Sequence, residues 1–227
     1  PESVKKVDLY KSSFPARYGG RLSSVIDVRT NDGDMRNYHG SLTIGLLTSR
    51  MHFEGPLWKD RTSFIISARR SYADLIIKPF MDKDTKGGYY LYDINTKLNH
   101  RFSDRDRLFF SFYHGKDHAS FTNTSSYYFE EEKETDTRER QVMAWGSTLG
   151  ALRWNHIVSN RLFHNITLSY NRFRFNIKNN FTSANKHLDS QYYSGIEDWG
   201  LTSDFDFHPS PSHFIKFGGN YLYHTFR

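Results

Sequence analysis

Residues 90–102 read YLYDINTKLNHRF, and this stretch decides the fold. Alternate positions differ in character: one set is mostly aromatic or aliphatic, and the other is mostly polar. The first set is Tyr90, Tyr92, Ile94, Thr96, Leu98, His100 and Phe102, and the second is Leu91, Asp93, Asn95, Lys97, Asn99 and Arg101. A period of two predicts a β-strand with one apolar face. Ordinary strands have about 5–6 residues, whereas a tilted transmembrane strand needs about 9–11, and this stretch reaches the second length.

The same alternation recurs along the rest of the chain, which predicts an antiparallel meander of about eight long strands between His39 and Phe226. We expect one face to meet lipid and the other to point inward. The lipid-facing set is Tyr92, Ile94, Leu98, Ile166, Leu168, Phe205, Phe217 and Tyr221. The inward set is Asn95, Lys97, Asn99, Thr167, Ser169, Asp204 and Asp206.

Turn-forming residues divide these strands unevenly. Short turns are predicted near Trp58, Asp104, Asn160 and Ser210. Long polar stretches, predicted to be loops, fill 73–88, 117–140 and 176–194. Short turns at one end and long loops at the other are typical of bacterial outer-membrane barrels.

Composition agrees with a strand-built membrane protein. Aromatic residues make up 17% of the 227 residues, while mean hydropathy is low at −0.71. A barrel exposes only alternate residues to lipid, so its average stays polar, and its interfacial girdles are rich in Tyr, Trp and Phe. The formal net charge of +6 comes from scattered residues, so we do not predict nucleic-acid binding.

The first forty residues have a different pattern. Val4–Lys11 has the character of a short strand, and it leads into the sequence FPARYGGRLSSVIDVRTNDG at 14–33. Gly19-Gly20 supplies a backbone turn that side chains would hinder, and Val25, Ile26 and Val28 are predicted to form a strand. A Gly turn between two strands of any β-protein is the alternative interpretation of this segment.

The order of residues at 14–33 resembles the end of the plug domain in TonB-dependent receptors of the Bacteroidetes type. Gly40–Arg50 followed by Phe53–Leu57 is similar to the first barrel strand of that family with its periplasmic turn, and Ser67–Tyr72 to the end of the second strand. The Ala-Leu-Tyr-Gly pattern of the SusC-like glycan branch is absent. The resemblance therefore implies the non-SusC-like branch.

The resemblance implies two regions and a function. Residues 1–38 would be the C-terminal end of a plug, and residues 39–227 the N-terminal part of a transmembrane β-barrel in the bacterial outer membrane. The plug motif would be Arg17, Tyr18, Gly19, Gly20 and Arg21. The whole protein would be a receptor and transporter with outer-membrane lipid and TonB as partners and an unknown small molecule, peptide or glycan as substrate. Aromatic residues of the predicted loops are the candidates for substrate contact: Tyr89, Tyr127, Tyr128 and Phe129.

No catalytic or cofactor motif accompanies these patterns. The eleven histidines are scattered and form no HExxH or closely paired set, so we predict no metal site, no cofactor and no enzyme activity. The chain has no cysteine. The acidic run Glu130–Glu132 is predicted to be a solvated face.

One alternative remains open, namely a complete eight-stranded barrel acting as a pore or interaction protein. Eight strands can close around a packed interior, but the inward charges would then have to pair in a narrow lumen. These charges are Asp93, Lys97, Arg101, Asp204, Asp206 and Lys216. For a receptor fragment we expect instead an open sheet, with no ladder between strands near Leu42–Arg50 and Phe214–Phe226. The segment Val4–Thr30 would lie on its concave side.

Overall fold

A computed structural model describes residues 4–11, 15–19, 23–82, 84–129, 132–183 and 186–227. Within these ranges the chain is almost entirely β-structure, with one short α-helix. Two sheets are present: a two-stranded hairpin and a nine-stranded antiparallel sheet whose strands follow chain order. An all-β antiparallel fold is therefore confirmed.

The N-terminal hairpin consists of β1 (Val4–Tyr10) and β2 (Val25–Thr30), paired antiparallel, with a 3₁₀ turn at Ala16–Tyr18 between them. Both strands agree with the sequence prediction. β1 and β2 form a sheet separate from the larger one, so their attachment to it depends on side chains and on the segment 31–38.

The large sheet begins with β3 (His39–Ile44), β4 (Thr48–Trp58) and β5 (Thr62–Ser71). The prediction of one strand through 40–50 was wrong, because the chain reverses at 45–47. The backbone N–H of Gly45 donates to the carbonyl of Thr48 at 2.9 Å, and the N–H of Tyr72 donates to the carbonyl of Leu47 at 3.0 Å. This turn makes nine strands rather than about eight.

The helix α1 (Ala73–Ile77) and a 3₁₀ turn at Lys78–Phe80 connect β5 to β6. The remaining strands are long: β6 (Thr85–Arg101), β7 (Asp106–Phe129), β8 (Glu132–Ser159), β9 (Leu162–Ser183), β10 (Lys186–Ser210) and β11 (His213–Phe226). The predicted short turns near Trp58, Asp104, Asn160 and Ser210 are confirmed, and they lie at one end of the meander.

Two predicted loops were wrong. The described residues of these stretches, 117–129, 132–140, 176–183 and 186–194, belong to strands. β7 pairs with β8 up to Phe129 and Glu132, and β9 pairs with β10 up to Ser183 and Lys186. Polar β-ribbons satisfy their backbone groups by pairing, so they need no apolar face. The stretch 73–88 holds α1, the 3₁₀ turn and the start of β6. Glu130 and Glu131 lie outside the described residues.

Register assigns each side chain to a face, because directly paired residues project to the same side. One rung across five strands is entirely apolar or aromatic. It contains Phe110, Leu152, Leu168, Leu201 and Tyr221. These side chains are exposed, Tyr221 by 67%. Among the described residues only Phe64, Ile65 and Phe109 are buried hydrophobic side chains. The sheet therefore carries its apolar surface outside rather than in a core.

The two edge strands of the sheet are β3 and β11, and among the described residues no ladder joins them. The expectation of an open sheet is confirmed. Its two faces also follow the prediction, as the contacts of the N-terminal segment show below.

Candidate functional site: the inner face of the sheet

The segment 31–34 lies on the face of the sheet that carries Lys97. Lys97 is 6% exposed, and its Nζ is 2.6 Å from Oδ1 of Asp32. The same ammonium donates to the hydroxyl of Thr30 at 3.0 Å and to its carbonyl at 3.3 Å. A lysine that is so strongly shielded from water requires an anionic or strongly polar partner. The carboxylate of Asp32 is the anionic partner, and Thr30 is the polar one.

Neighbouring contacts hold the same segment. The hydroxyl of Ser63 donates to the carbonyl of Asp32 at 2.7 Å. Gly33 follows with φ of +79°, and a Cβ at this position would lie 2.9 Å from the carbonyl oxygen of Phe64. Only glycine accepts both this backbone conformation and this approach without strain. Segment 31–34 is therefore fitted to β5 by its backbone as well as by charge.

Three cations, of which Lys97 is one, surround the buried ring of Phe109. Cζ of Arg153 lies 4.4 Å from the ring centroid of Phe109, Nζ of Lys97 lies 5.7 Å from it, and Cζ of Arg107 lies 5.8 Å from it. Cations attract the negative face of an aromatic ring. The inner face thus contains a positive cluster. The carboxylate of Asp32 pairs with one member of this cluster, Lys97.

Several buried polar atoms of this face have no hydrogen-bond partner among the described residues. They are Oδ1 of Asn99, Nε of Arg153, Oδ1 of Asn155 and Oδ1 of Asn165. Polar atoms that are buried in this way are costly unless water or another chain segment reaches them. The inner face is thus chemically suited to a polar filling.

The plug motif residues that the structure describes contact the far side of the sheet. Arg17 Nη2 is 3.1 Å from Oδ2 of Asp204 on β10, and a groove of about 410 Å³ lies between 15–19 and strands β10 and β11. Gly19 lines this groove. Gly20 and Arg21 lie outside the described residues. Asp204 faces inward, as predicted.

Tyr18 is fixed within the hairpin. Its hydroxyl donates to Oδ2 of Asp27 at 2.9 Å, and its ring lies 5.7 Å from that of Tyr10. Burial, together with the hydrogen bond to the Asp27 carboxylate, raises the pKa of Tyr18. The phenol therefore stays protonated and remains a donor at physiological pH.

Asp34 organises the link between the hairpin and the sheet. Its Oδ1 accepts from the backbone N–H of Arg36 at 2.7 Å and of Asn37 at 3.2 Å, and its Oδ2 is 3.0 Å from Nε2 of His39. The backbone hydrogen bond from Arg36, followed by the bond to His39, lowers the pKa of Asp34 to about 2. The carboxylate is therefore ionised at any physiological pH.

The proposed substrate residues lie on two neighbouring strands. Tyr89 lies on β6, where its hydroxyl donates to Oδ1 of Asp117 at 2.5 Å. Tyr127, Tyr128 and Phe129 form the end of β7 rather than a loop, and their side chains lie outside the described ones. Nothing in the structure tests their role.

Sequence reasoning missed three aromatic residues on the inner face of the long ribbons. Tyr192 lies in a stretch that was predicted as a loop, and Trp145 and Phe175 lie next to such stretches. Trp145 pairs directly with Phe175, and the rings of Phe175 and Tyr192 are 6.4 Å apart. All three share the face of Lys97. The alternation of Phe173, Phe175 and Ile177 with Arg174 and Asn176 was the signal that could have extended the predicted strand.

Across the described ranges no three His, Cys, Asp or Glu side chains are grouped so that they could hold a metal ion. His114 and His118, four residues apart, were expected from the sequence to lie at a strand end or in a loop, but both lie within β7. No helix in the described part of the chain is long and apolar enough to cross a membrane.

Comparison with known proteins identifies a family, and a solved receptor structure is similar. The sequence model of the outer membrane beta barrel domain matches residues 83–225, more than half of the chain. The crystal structure of a mutant ferric enterobactin receptor (PfeA) from Pseudomonas aeruginosa is similar at a TM-score of 0.38 and 12% identity, covering 98% of this chain and 44% of that one. The chain thus spans less than half the length of that receptor. No curated protein matches.

Proposed function

The chain belongs to the outer membrane β-barrel domain family, and from that premise we propose that it is part of a receptor that takes up a scarce or large substrate with energy delivered through TonB. The protein resides in the bacterial outer membrane. In this proposal residues 1–38 are the end of the plug and residues 39–227 are the first part of the barrel wall. The protein moves its substrate and does no covalent chemistry on it.

The observation that carries the proposal is the attachment of segment 31–34 to the inner face. A plug must fill a lumen at rest and yield when energy reaches it. Lys97 holds Asp32 by an ion pair and the preceding Thr30 by two hydrogen bonds. Arg17 holds the turn at 15–19 to Asp204 at the other side of the sheet by a second ion pair. Polar contacts of this kind hold a segment in place yet can exchange for water when they are exposed.

The substrate would meet the inner faces of the long ribbons. We propose Tyr89, Tyr127, Tyr128 and Phe129 as contacts, as the sequence suggests, and we add the inner-face aromatic residues Trp145, Phe175 and Tyr192. Aromatic side chains offer large contact areas at low entropic cost. A small molecule, a peptide or a glycan would each suit such a surface.

The rival is a complete small barrel acting as a pore or interaction protein. Bacterial single-chain barrels have an even number of strands, whereas this sheet has nine. Its edge strands are unpaired with each other in the described residues, and an unpaired edge is not tolerated in hydrocarbon. Both features favour a wall that continues in further strands.

Conductance across a planar lipid bilayer separates the two proposals. A receptor filled by its plug passes little current, and Lys97→Gln combined with Arg17→Gln raises the current because the N-terminal segment is released. Arg69→Gln is the matched control, since Arg69 pairs with Asp93 within the sheet. A large steady current through the unchanged protein would contradict the receptor proposal and favour the pore.

Dependence on TonB is tested in cells that carry this protein as the only receptor for a labelled panel of iron chelates, cobalamin, oligopeptides and glycans. Uptake of one class should stop when TonB is removed. Equal uptake with and without TonB would contradict the energy coupling but leave the barrel assignment intact.

A further inference from the structure

A row of alternating cations and glycines crosses the outer face of the sheet. Register places Lys116 beside Gly146, Gly146 beside Arg174, and Arg174 beside Gly195. Arg227 completes the row, because its backbone N–H and C=O both bond to Gly195 at 2.9 Å. Arg172 lies two residues before Arg174 on β9, on the same face but nearer to the short turns, and it is beside Glu197. We call Lys116, Arg172, Arg174 and Arg227 the basic belt.

The belt begins where the apolar surface ends. The rung that precedes Arg172 on the outer face contains Phe112, Gly150, Tyr170, Trp199 and Tyr223. The rings of Tyr170 and Trp199 are in contact, with centroids 4.8 Å apart. Aromatic girdles mark the boundary between hydrocarbon and headgroups. The basic belt therefore lies at the level of lipid headgroups.

The belt has an excess of positive charge. Its acidic neighbour is Glu197, whose carboxylate is 3.9 Å from Arg174 and 3.3 Å from Arg227. The side chains of Arg174 and Arg227 remain 46% and 55% exposed. Lys116 is exposed and makes no ion pair with any described residue. One carboxylate thus serves several cations, which leaves donors free for an external anion.

The glycines keep space open between the cations. Strands two apart are separated by roughly 10 Å, and no side chain stands between Lys116 and Arg174. A Cβ on Gly146 would lie 2.5 Å from the carbonyl oxygen of Gly115, so the backbone excludes a larger residue here. An ammonium and a guanidinium facing such a gap can both donate to one phosphate, for which guanidinium geometry is well suited.

The belt lies on the side of the outer leaflet. It is at the end of the sheet opposite to the short turns, and short turns of outer-membrane barrels face the periplasm. The outer leaflet of this membrane carries phosphorylated glycolipid. We propose that the basic belt binds the phosphate groups of that glycolipid, so that one lipid is held against the wall between β7 and β11. This inference rests on the membrane location and not on energy coupling through TonB.

The test measures glycolipid binding to the intact protein in phosphatidylcholine vesicles, with bisphosphorylated lipid A as the probe. Lys116→Gln with Arg174→Gln should weaken binding by about 30-fold, as expected for the loss of two cations near a membrane surface. Arg105→Gln with Arg161→Gln removes the same charge at the short turns and should leave binding unchanged. Heat-dependent mobility in gels verifies that each variant is folded.

A second variant acts in the opposite direction. Glu197→Gln removes the competing carboxylate and should strengthen binding several-fold, a gain that a misfolded protein cannot give. The proposal is overturned by unchanged affinity in the Lys116/Arg174 variant, by equal loss in the turn control, or by equal binding of lipid A without phosphates. Competition by inorganic phosphate alone at millimolar concentration would identify a soluble ligand instead and also overturn it.

Discussion

At the scale of single residues, Lys97 is the most consequential side chain of the inner face. Its side chain is buried, and within the described residues the hydrogen bonds and the ion pair of its ammonium join it to the segment before the large sheet rather than to neighbouring strands. A buried cation with partners on another segment acts as a tether, because separating the two leaves a charge without compensation.

Lys97→Met should therefore loosen the N-terminal segment. Asp32 is partly exposed and can be hydrated, so we expect a loss of about 2 kcal/mol, below the usual cost of breaking a fully buried pair. Hydrogen exchange at the backbone amides of residues 25–34 measures this loss of stability. Arg69→Gln breaks an exposed pair with Asp93 and should cost under about 1 kcal/mol. Equal protection of 25–34 in the two variants would contradict the tether.

Asp34 gives a pH dependence. Its pKa in the folded protein is lowered to about 2 from the ordinary 3.8, so its contribution to stability is fully present above pH 3.8 and is lost as pH falls through about 2. We expect the amides of Arg36 and Asn37 to stay ordered at pH 4 and to lose protection near pH 2, as measured by NMR. In Asp34→Asn the loss of protection near pH 2 should vanish. If the loss persisted, the titration of another group would be its cause.

At the scale of elements, the sequence predicted strands wherever one face was apolar. Phe205, Phe217 and Leu168 alternate with polar residues, so period two was visible there. The prediction of strands failed for 117–140 and 176–194. In most of these stretches both faces are rich in polar residues, so hydropathy hardly alternates. Pairing of backbone groups with a neighbouring strand, which single-strand patterns do not reveal, stabilises these ribbons.

The candidate site was predictable in part. Inward charges such as Lys97 and Asp204 followed from alternation. Their partners did not, because Asp32 and Arg17 are distant in sequence and reach the sheet only through its three-dimensional arrangement. The break at 45–47 was equally hidden, since Leu46 and Leu47 continue an apolar run that resembles one strand.

The two faces can be verified by spin labels placed singly on β9 and β10. Labels at Leu168 and Phe205 should be relaxed by oxygen, which concentrates in lipid. Labels at Thr167 and Asp204 should respond to a water-soluble nickel chelate. Adjacent positions that respond alike would show that the register, and with it the assignment of inner and outer faces, is wrong.

At the scale of the whole molecule, the sheet has one largely apolar face and one charged face, and the N-terminal segment contacts the charged face. Every interior strand has a paired neighbour on each side, and the edges β3 and β11 each lack one partner among the described residues. In lipid such edges must pair further. We therefore propose that further strands close the wall around the segment.

The most direct test is the distance between the two edge strands in the membrane-inserted protein, measured by pulsed electron resonance between labels at Leu42 and Tyr221. Both side chains are exposed on the outer face, so labels should be tolerated. Eight spacings of about 4.8 Å separate the two strands along the sheet. The account predicts a separation of tens of ångströms. A single strand spacing of about 5 Å, as between paired neighbours, would mean that the nine strands close on themselves and would contradict it.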